Sequence, residues 1–289
     1  MNLSIASGKG GTGKTTVAVN LALSVQPSVY IDCDVEEPNG HILLKPEITS
    51  EQIINKKLPK VDFSKCNNCG KCTELCEFNA IIVLKSDVII FEEMCHSCGV
   101  CSYFCPENAI VEIEKSIGEI RKGTAGDCLT DFIDGKLNIG EMSAVPLIKQ
   151  VRKEALNNHI NIIDAPPGTS CSMVASVEGT DYCILVTEST PFGLNDLKLA
   201  VNVVRSVGVP FGVVINKYDR NFPGIENYCD QENIPVLLKI PFDRNIAELY
   251  SQGIPLVYSM TKLKEKFRWL FNKIYLVLEN RKYFSYVEK

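Results

Sequence analysis

The sequence lacks the features that mark several large classes of protein. No uninterrupted apolar run approaches the roughly 18 residues that a membrane span needs, so a membrane-spanning protein is not expected. There is no basic excess, because 30 Lys and Arg face 35 Asp and Glu, and this balance speaks against nucleic acid as a partner. An export signal is also missing, since Met1 leads straight into a short apolar segment, and we therefore expect a cytoplasmic protein.

Cysteine is the residue that the sequence has in excess. The chain has 289 residues, of which 45% are hydrophobic and 22% charged, as is typical of one or two globular domains. It nevertheless contains 13 cysteines. Disulfides are rare in the cytoplasm, where clustered cysteines more often hold metal or take part in redox chemistry.

Eight of the cysteines form two runs with the same spacing, Cys-x-x-Cys-x-x-Cys-x-x-x-Cys, which begin at Cys66 and Cys95. This spacing is typical of bacterial ferredoxins, in which three close thiolates bind one 4Fe–4S cluster and the fourth thiolate reaches the other cluster. A zinc ribbon would show two separated Cys-x-x-Cys pairs instead. We therefore predict two 4Fe–4S clusters. The ligands of cluster A would be Cys66, Cys69, Cys72 and Cys105, and those of cluster B would be Cys95, Cys98, Cys101 and Cys76.

A phosphate-binding loop is predicted near the N-terminus. Residues 8–16 contain the Walker A pattern G-x-x-x-x-G-K-[ST], between a short strand pattern and a helical pattern. Backbone N–H groups of such a loop surround the phosphates of ATP at a helix N-terminus. We expect Lys14 to neutralise the β- and γ-phosphates and the Thr15 hydroxyl to ligate Mg²⁺. The predicted nucleotide-binding residues of the loop are Gly8, Lys9, Gly10, Gly11, Thr12, Gly13, Lys14, Thr15 and Thr16.

Acidic residues follow two further apolar strand patterns. Asp164 ends the pattern of residues 160–164, which is where a Walker B aspartate would hold the metal ion. Asp32 and Asp34 end an earlier strand pattern, where they could orient a water molecule or contact metal, although a solvated strand end would look the same.

The remainder of the chain predicts an α/β fold, a doubly wound and mostly parallel P-loop NTPase sheet, because strand patterns alternate with helical ones. One helical pattern places Leu197, Val201 and Val204 on one face, with Asn195 or Asp196 as its N-cap. The cysteine repeat interrupts this domain. We therefore predict a discontinuous ATPase domain, residues 1–58 and 116–289, and an inserted small α+β ferredoxin-like domain, residues 59–115.

With these motifs in place, the sequence resembles the MinD/ParA-type P-loop ATPases, specifically the MinD-superfamily members that carry an inserted ferredoxin domain. The resemblance covers essentially the whole chain. Lys9 resembles the signature lysine of the deviant Walker A loop, which implies that it reaches across a dimer to the partner's nucleotide. The resemblance also implies that Asp34 activates the attacking water and that Gly168 senses the γ-phosphate.

The resemblance extends to the ends of the later strands. It implies that Asn216 binds the adenine edge and that Pro241, Phe242 and Asp243 lie beside the base. The catalytic residues expected from motif and resemblance together are Lys9, Lys14, Asp34 and Asp164.

Three functions are compatible with these features. We favour a homodimeric, Mg²⁺-dependent ATPase that couples its nucleotide state to electron transfer through two 4Fe–4S clusters, and whose turnover is slow without a partner. The first alternative is an ATPase that assembles or transfers an iron–sulfur or other metal cofactor to an acceptor protein. The second is a positioning ATPase with the clusters as a redox sensor. The sequence does not identify the redox or acceptor partner.

Two further features leave alternatives open. Cys171 lies seven residues after Asp164, the interval at which a relative, the nitrogenase iron protein, places a ligand of a bridging cluster, and Cys128 could be a second ligand. Packing of a buried thiol is the more common role. The C-terminal segment is amphipathic, and we expect a helix docked on the sheet in preference to a membrane anchor.

The cysteine pattern makes a prediction about iron content. We expect about eight irons per chain, because each of two complete four-cysteine sets would hold four irons. Anaerobically purified protein should therefore give the same iron-to-protein ratio in the wild type and in Cys171→Ser. A wild-type ratio near ten, or a loss of iron in Cys171→Ser, would instead indicate a third cluster.

Overall fold

A nine-stranded sheet dominates the computed structural model, which describes residues 1–85, 87–125 and 129–287, with side chains in the last helix as far as Glu279. The strands are β1 (Asn2–Ala6), β2 (Ser28–Asp32), β3 (Glu47–Val61), β4 (Ile81–Val83), β5 (Val88–Ile90), β6 (Ile110–Thr124), β7 (Thr130–Leu137), β8 (Ile160–Asp164), β9 (Tyr182–Glu188), β10 (Phe211–Tyr218) and β11 (Val236–Pro241). Their order in the large sheet is β11-β10-β9-β1-β8-β2-β7-β6-β3, and β4 and β5 form a separate antiparallel pair.

The centre of the sheet is parallel and buried. β1 lies between β8 and β9. Along the part of the sheet with the order β11-β10-β9-β1-β8-β2-β7, every pair of neighbouring strands is parallel. β2 is buried along its whole length, and such apolar strands form when helices cover both faces of a sheet. The predicted doubly wound, mostly parallel fold is therefore confirmed. Parallel strands bring their carboxyl ends to one edge, where ligands of this architecture bind.

Helices complete two apolar cores in the unit that contains most of the sheet. One core includes residues of α1 and α11, and the other includes residues of α6, α7 and α8. The helices are α1 (Lys14–Ser24), α2 (Gly40–Leu44), α3 (Lys71–Glu74), α4 (Val100–Tyr103), α5 (Val145–Lys153), α6 (Cys171–Val177), α7 (Pro191–Val207), α8 (Gly224–Gln231), α9 (Arg244–Ser251), α10 (Leu256–Ser259) and α11 (Thr261–Val287).

Helix α7 begins earlier than predicted. Leu197, Val201 and Val204 are buried as expected, but the N-cap is Thr190, not Asn195 or Asp196. The Thr190 hydroxyl accepts a hydrogen bond from the Gly193 N–H at 2.9 Å, and Pro191 is the first residue of the helix. Proline is favoured at the first helical position because a backbone N–H there has no acceptor within the helix, so its absence in proline loses no hydrogen bond.

The amphipathic C-terminal segment forms α11, which packs its apolar face into the core shared with α1. Leu263, Phe267, Leu270 and Ile274 are buried in that core, as expected for a docked helix. No helix among the described residues is long and apolar enough to cross a membrane.

Two compact units make up the chain. The first contains Met1–Glu51, Ile120–Lys136 and Ile148–Lys289, and the second contains Gln52–Glu119 and Leu137–Leu147. The predicted insert, residues 59–115, lies within the second unit. This unit also contains Leu137–Leu147, a segment that the cysteine repeat gives no reason to expect. Within this unit α3 follows Gly70 (φ 77°) and α4 follows Gly99 (φ 72°), so the sequence repeat is also a repeat of backbone conformation.

The docking of α11 predicts a large loss of stability in Phe267→Ala. Phe267 is fully buried, so we expect the free energy of unfolding to fall by about 3–5 kcal/mol through lost burial and the cavity left behind. Chemical denaturation measures this change. Leu276→Ala is the matched control, because Leu276 is 62% exposed on the same helix and should change stability by less than about 0.5 kcal/mol. Equal effects of the two substitutions would contradict the docked helix.

Candidate functional site

The predicted phosphate-binding loop connects β1 to α1, and close approaches of other elements shape it. A Cβ at Gly8 would lie 2.1 Å from the Asp196 carbonyl oxygen of α7, so only glycine fits there. Gly13 has a φ of 87° and directly precedes α1, where a side chain would be strained and would meet the Asn216 amide. Gly8 and Gly13 therefore meet steric demands as well as the need for exposed backbone N–H groups.

A cavity of about 430 Å³ opens beside this loop, within the size range of small-molecule sites. Most of the predicted nucleotide residues line it, while Gly8, Asp164 and Gly168 do not. The Thr12 hydroxyl is buried in the loop without a hydrogen-bond partner among the described residues, and a phosphate oxygen would supply one. The lining residues are Ser7, Lys9, Gly10, Gly11, Thr12, Gly13, Lys14, Thr15, Thr16, Asp34, Glu37, Asn39, Pro167, Asn216, Lys217, Pro241, Phe242, Asp243, Ile246, Ala247 and Tyr250.

Lys14 and Asp164 form a buried ion pair. The Lys14 ammonium donates to Asp164 Oδ1 at 2.6 Å, and the Tyr30 hydroxyl donates to Asp164 Oδ2 at 2.9 Å. Burial alone would lower the pKa of Lys14, but the carboxylates of Asp164 and Asp32 outweigh it and raise the pKa. The two residues expected at the phosphates and the metal are thus in direct contact with each other.

Asp32 and Asp34 have different environments. Asp32 is fully buried, and its carboxylate accepts hydrogen bonds from the backbone N–H groups of Asp34 (3.1 Å), Asn39 (3.2 Å) and Gly40 (3.0 Å), so it shapes the loop after β2. Burial, together with the charge of Asp164, raises the pKa of Asp32. Asp34 lines the cavity, and burial raises its pKa to about 6. Of the two, Asp34 is the one placed to meet a ligand.

The predicted base-binding residues line the same cavity as the phosphate-binding loop. The Asn216 amide donates to the Thr12 carbonyl at 2.8 Å, so its N–H group supports the phosphate-binding loop. Pro241 lines the cavity, and Asp243 caps α9 by accepting from the Asn245 N–H at 2.9 Å. Phe242, which the resemblance places beside the base, also lines the cavity, together with three side chains that the sequence did not single out, Ile246, Ala247 and Tyr250.

Gly168 lies in the loop after β8 in a left-handed conformation, with φ 93°. Its N–H donates to the Ser7 carbonyl at 2.9 Å, so this donor is engaged within the protein. Sensing of a γ-phosphate by Gly168, as the resemblance implies, would require this hydrogen bond to open.

Lys9, at the mouth of the cavity, makes a contact that the motif did not predict. Its ammonium donates to Glu188 Oε1 at 2.6 Å, and the Lys217 ammonium donates to Glu188 Oε2 at 3.0 Å. Glu188 is the last residue of β9 and could have been suspected from its position at a strand's carboxyl end.

The second unit sorts the eight repeated cysteines into two sets of four. One cavity is lined by the first three cysteines of the first run and the last of the second, and another by the first three of the second run and the last of the first. The sets are Cys66, Cys69, Cys72 and Cys105, and Cys95, Cys98, Cys101 and Cys76. The fold therefore places the cysteines in the crossed pairing that the ferredoxin spacing predicts.

The surroundings of the two sets also repeat. The Ala80 N–H donates to the Cys76 sulfur and the Ala109 N–H to the Cys105 sulfur, both at 3.3 Å, as suits sulfurs that carry negative charge. Among the described residues, no three His, Cys, Asp or Glu side chains lie close enough to hold a single metal ion. Four thiols around a cavity, with donors to sulfur, fit a polynuclear cluster better than a mononuclear site.

The remaining cysteines divide by burial. Cys33, Cys183 and Cys229 are buried, and burial raises the pKa of the Cys229 thiol to about 12, so these thiols are unreactive. Cys171 is exposed at the start of α6. Cys128 lies outside the described residues, so its suggested pairing with Cys171 stays a prediction.

Comparison with known proteins gives a family and a fold. The model of the CobQ/CobB/MinD/ParA nucleotide binding domain matches residues 3–256. An uncharacterised protein of Methanocaldococcus jannaschii is 32% identical over 288 residues, which are 95% of this chain and 96% of that protein. An iron-sulfur cluster carrier protein of Pyrococcus abyssi is 26% identical over 307 residues, which are 97% of this chain and 87% of that protein.

Solved structures agree with this result. The cell division ATPase MinD of Pyrococcus furiosus matches with a TM-score of 0.56 and 20% identity, covering 96% of this chain and 98% of that one. The septum site-determining protein MinD of Pyrococcus horikoshii, in complex with Mg-ADP, also gives 0.56 and 20%, covering 94% and 95%. At this identity the likeness shows a shared fold.

The buried ion pair predicts a large effect of Asp164→Asn on the protein without nucleotide. The substitution would leave the buried Lys14 ammonium without its nearest carboxylate, so we expect the free energy of unfolding to fall by about 3 kcal/mol. Chemical denaturation in nucleotide-free buffer measures the loss. Asp230→Asn, at an exposed position, should change stability by less than about 0.5 kcal/mol. An Asp164→Asn protein as stable as the wild type would contradict the assigned pair.

Proposed function

The chain belongs to the CobQ/CobB/MinD/ParA family of nucleotide-binding domains, and from this premise we propose that it is an ATP-dependent homodimer that couples ATP binding and hydrolysis to electron transfer through two 4Fe–4S clusters. The observation that carries the proposal is the sorting of eight cysteines into two four-cysteine sets, each around its own cavity. Such complete sets retain clusters, because every cluster iron has a protein thiolate.

The residues of the cavity support a hydrolytic role. Lys14 would leave Asp164 for the β- and γ-phosphates, which frees the Asp164 carboxylate. The Thr15 hydroxyl and the Asp164 carboxylate would then hold Mg²⁺, whose chemistry is to take up charge on the phosphates. Asp34, with a pKa of about 6, is mostly ionised at neutral pH and can accept a hydrogen bond from the attacking water.

The exposure of Lys9 supports the proposed dimer. Its side chain is partly exposed at the mouth of the cavity, whereas Lys14 is buried. The resemblance implies that Lys9 acts on the nucleotide of a second protomer, and the exposure of the side chain supports this role. Two protomers would close face to face over their nucleotides.

Coupling to the clusters would use the continuity of the chain. The loop that carries Asp34 continues through α2 into β3, and β3 runs from the first unit into the second at Gln52. A shift of this loop on ATP binding or hydrolysis is thus transmitted along one short stretch of chain to the cysteine-rich unit. Residues 59–115 contain five Lys and nine Asp or Glu, which suits a redox partner with a basic surface.

Transfer of a cluster to an acceptor protein is a second candidate, and the names of relatives favour it. Iron-sulfur cluster carrier proteins of Pyrococcus abyssi and Pyrococcus horikoshii match over 97% and 94% of this chain. A carrier needs a cluster that leaves readily, and the two complete cysteine sets favour retention. We therefore place electron transfer first.

A redox titration separates the two candidates. We expect the reduction potential of at least one cluster to shift by about 60 mV, a tenfold change in the electron-transfer equilibrium, between ADP and a non-hydrolysable ATP analogue. Anaerobic titration followed by electron paramagnetic resonance measures this shift. Lys14→Ala, which should not hold the phosphates, is the control and should show no difference between the nucleotides.

The same samples test the carrier function. Incubation with an apo-ferredoxin should leave the iron on the wild-type chain with either nucleotide. Potentials that do not depend on nucleotide, together with nucleotide-dependent loss of iron to the apo-ferredoxin, would replace the electron-transfer function by the carrier function.

A further inference from the structure

Glu188 forms a three-membered charge cluster with two lysines at the mouth of the nucleotide cavity. Each carboxylate oxygen serves one lysine, with Lys9 at 2.6 Å and Lys217 at 3.0 Å. Lys217 also donates to the Gly11 carbonyl of the phosphate-binding loop at 3.1 Å. Both lysines line the cavity, so the cluster lies directly beside the place of the nucleotide.

The burial of the three side chains is unequal. The Glu188 side chain is 14% exposed, that of Lys9 31% and that of Lys217 46%. Burial alone would raise the pKa of Glu188, but hydrogen bonds and charges from Lys9 and Lys217 outweigh it and lower the pKa. Glu188 is therefore a stable anion that attracts Lys9 at neutral pH.

We propose that Glu188 is a positioning residue that retains Lys9 on its own protomer. Glu188 thereby sets the protein concentration at which two ATP-bound protomers associate. The inference rests on the proposed dimer, in which Lys9 acts on the nucleotide of the second protomer. Lys9 cannot contact Glu188 at 2.6 Å and also extend across an interface. Each protomer must therefore break this ion pair before the dimer closes.

Lys217 makes the release of Lys9 possible at a modest cost. When Lys9 leaves, Glu188 still has a cation at 3.0 Å, so dimer closure does not bury an unpaired carboxylate. Lys217 also competes with Lys9 for the Glu188 carboxylate, and this competition weakens the ion pair between Glu188 and Lys9. Removal of Lys217 should consequently strengthen the contact between Lys9 and Glu188.

Glu188→Gln and Lys217→Gln should therefore move the association in opposite directions. A partly exposed ion pair contributes about 0.3–1 kcal/mol, and a dimer breaks two of them. With a saturating non-hydrolysable ATP analogue, Glu188→Gln should lower the concentration of half-association about three- to thirtyfold. Lys217→Gln should raise this concentration. Sedimentation equilibrium measures it, and analogue affinity is determined separately so that saturation is assured for each variant.

Glu226→Gln is the matched control, because Glu226 accepts from Lys239 and Tyr218 on the same unit but does not line the cavity. It should associate like the wild type. If Glu188 had only a general structural role, Glu188→Gln and Lys217→Gln would change association in the same direction, and this result would overturn the inference. A concentration of half-association in Glu188→Gln equal to that of the wild type would also overturn it. A wild-type chain that binds the analogue and stays monomeric would instead overturn the proposed dimer.

Discussion

The buried contact between Lys14 and Asp164 is the interaction on which the nucleotide site depends. It joins the first turn of α1 to the end of β8, and the Tyr30 hydroxyl extends it to β2. Two consecutive elements, α1 and β2, are thereby joined to the end of β8, which lies far along the chain, with 150 residues between Lys14 and Asp164. Because an isolated buried ammonium or carboxylate is very unfavourable, the pair also fixes which ligand can replace it. Under the proposed function, the phosphates of ATP would take the place of Asp164 at Lys14, and Mg²⁺ would take the place of Lys14 at Asp164.

Further buried charges surround this pair. Asp32 lies in register with Asp164 on β8 and with Asp134 on β7, so three neighbouring strands place a buried aspartate at the same level. Arg121 pairs with Asp134, and Lys14 pairs with Asp164, while Asp32 accepts backbone N–H groups. Movement of the Lys14 ammonium away from Asp164 would change the electrostatic potential at Asp32. The Asp32 carboxylate in turn holds the loop that carries Asp34. Nucleotide chemistry and loop conformation thus share one electrostatic network.

Much of the fold and part of the site followed from local sequence patterns. The alternation of strand and helix patterns predicted the parallel sheet, and the Walker motif predicted a strand, a glycine-rich loop and a helix in that order. One error arose where a short-range cap decided the outcome. Helix α7 begins at Pro191 because Thr190 caps it. This outcome depends on a local hydrogen bond that hydrophobic periodicity does not contain.

The sequence by itself determined the chemistry available to this protein, because eight cysteines at ferredoxin spacing and a lysine in a glycine-rich loop have few other uses. It also predicted the crossed sorting of the cysteines, since the fourth thiolate of this ferredoxin motif binds the other cluster. Only the tertiary structure decided which partners the charged side chains have. Lys9 forms an ion pair with Glu188, because strand ends that are distant in the sequence meet at one edge of a parallel sheet. At the same edge, Asp32 shapes the loop after β2.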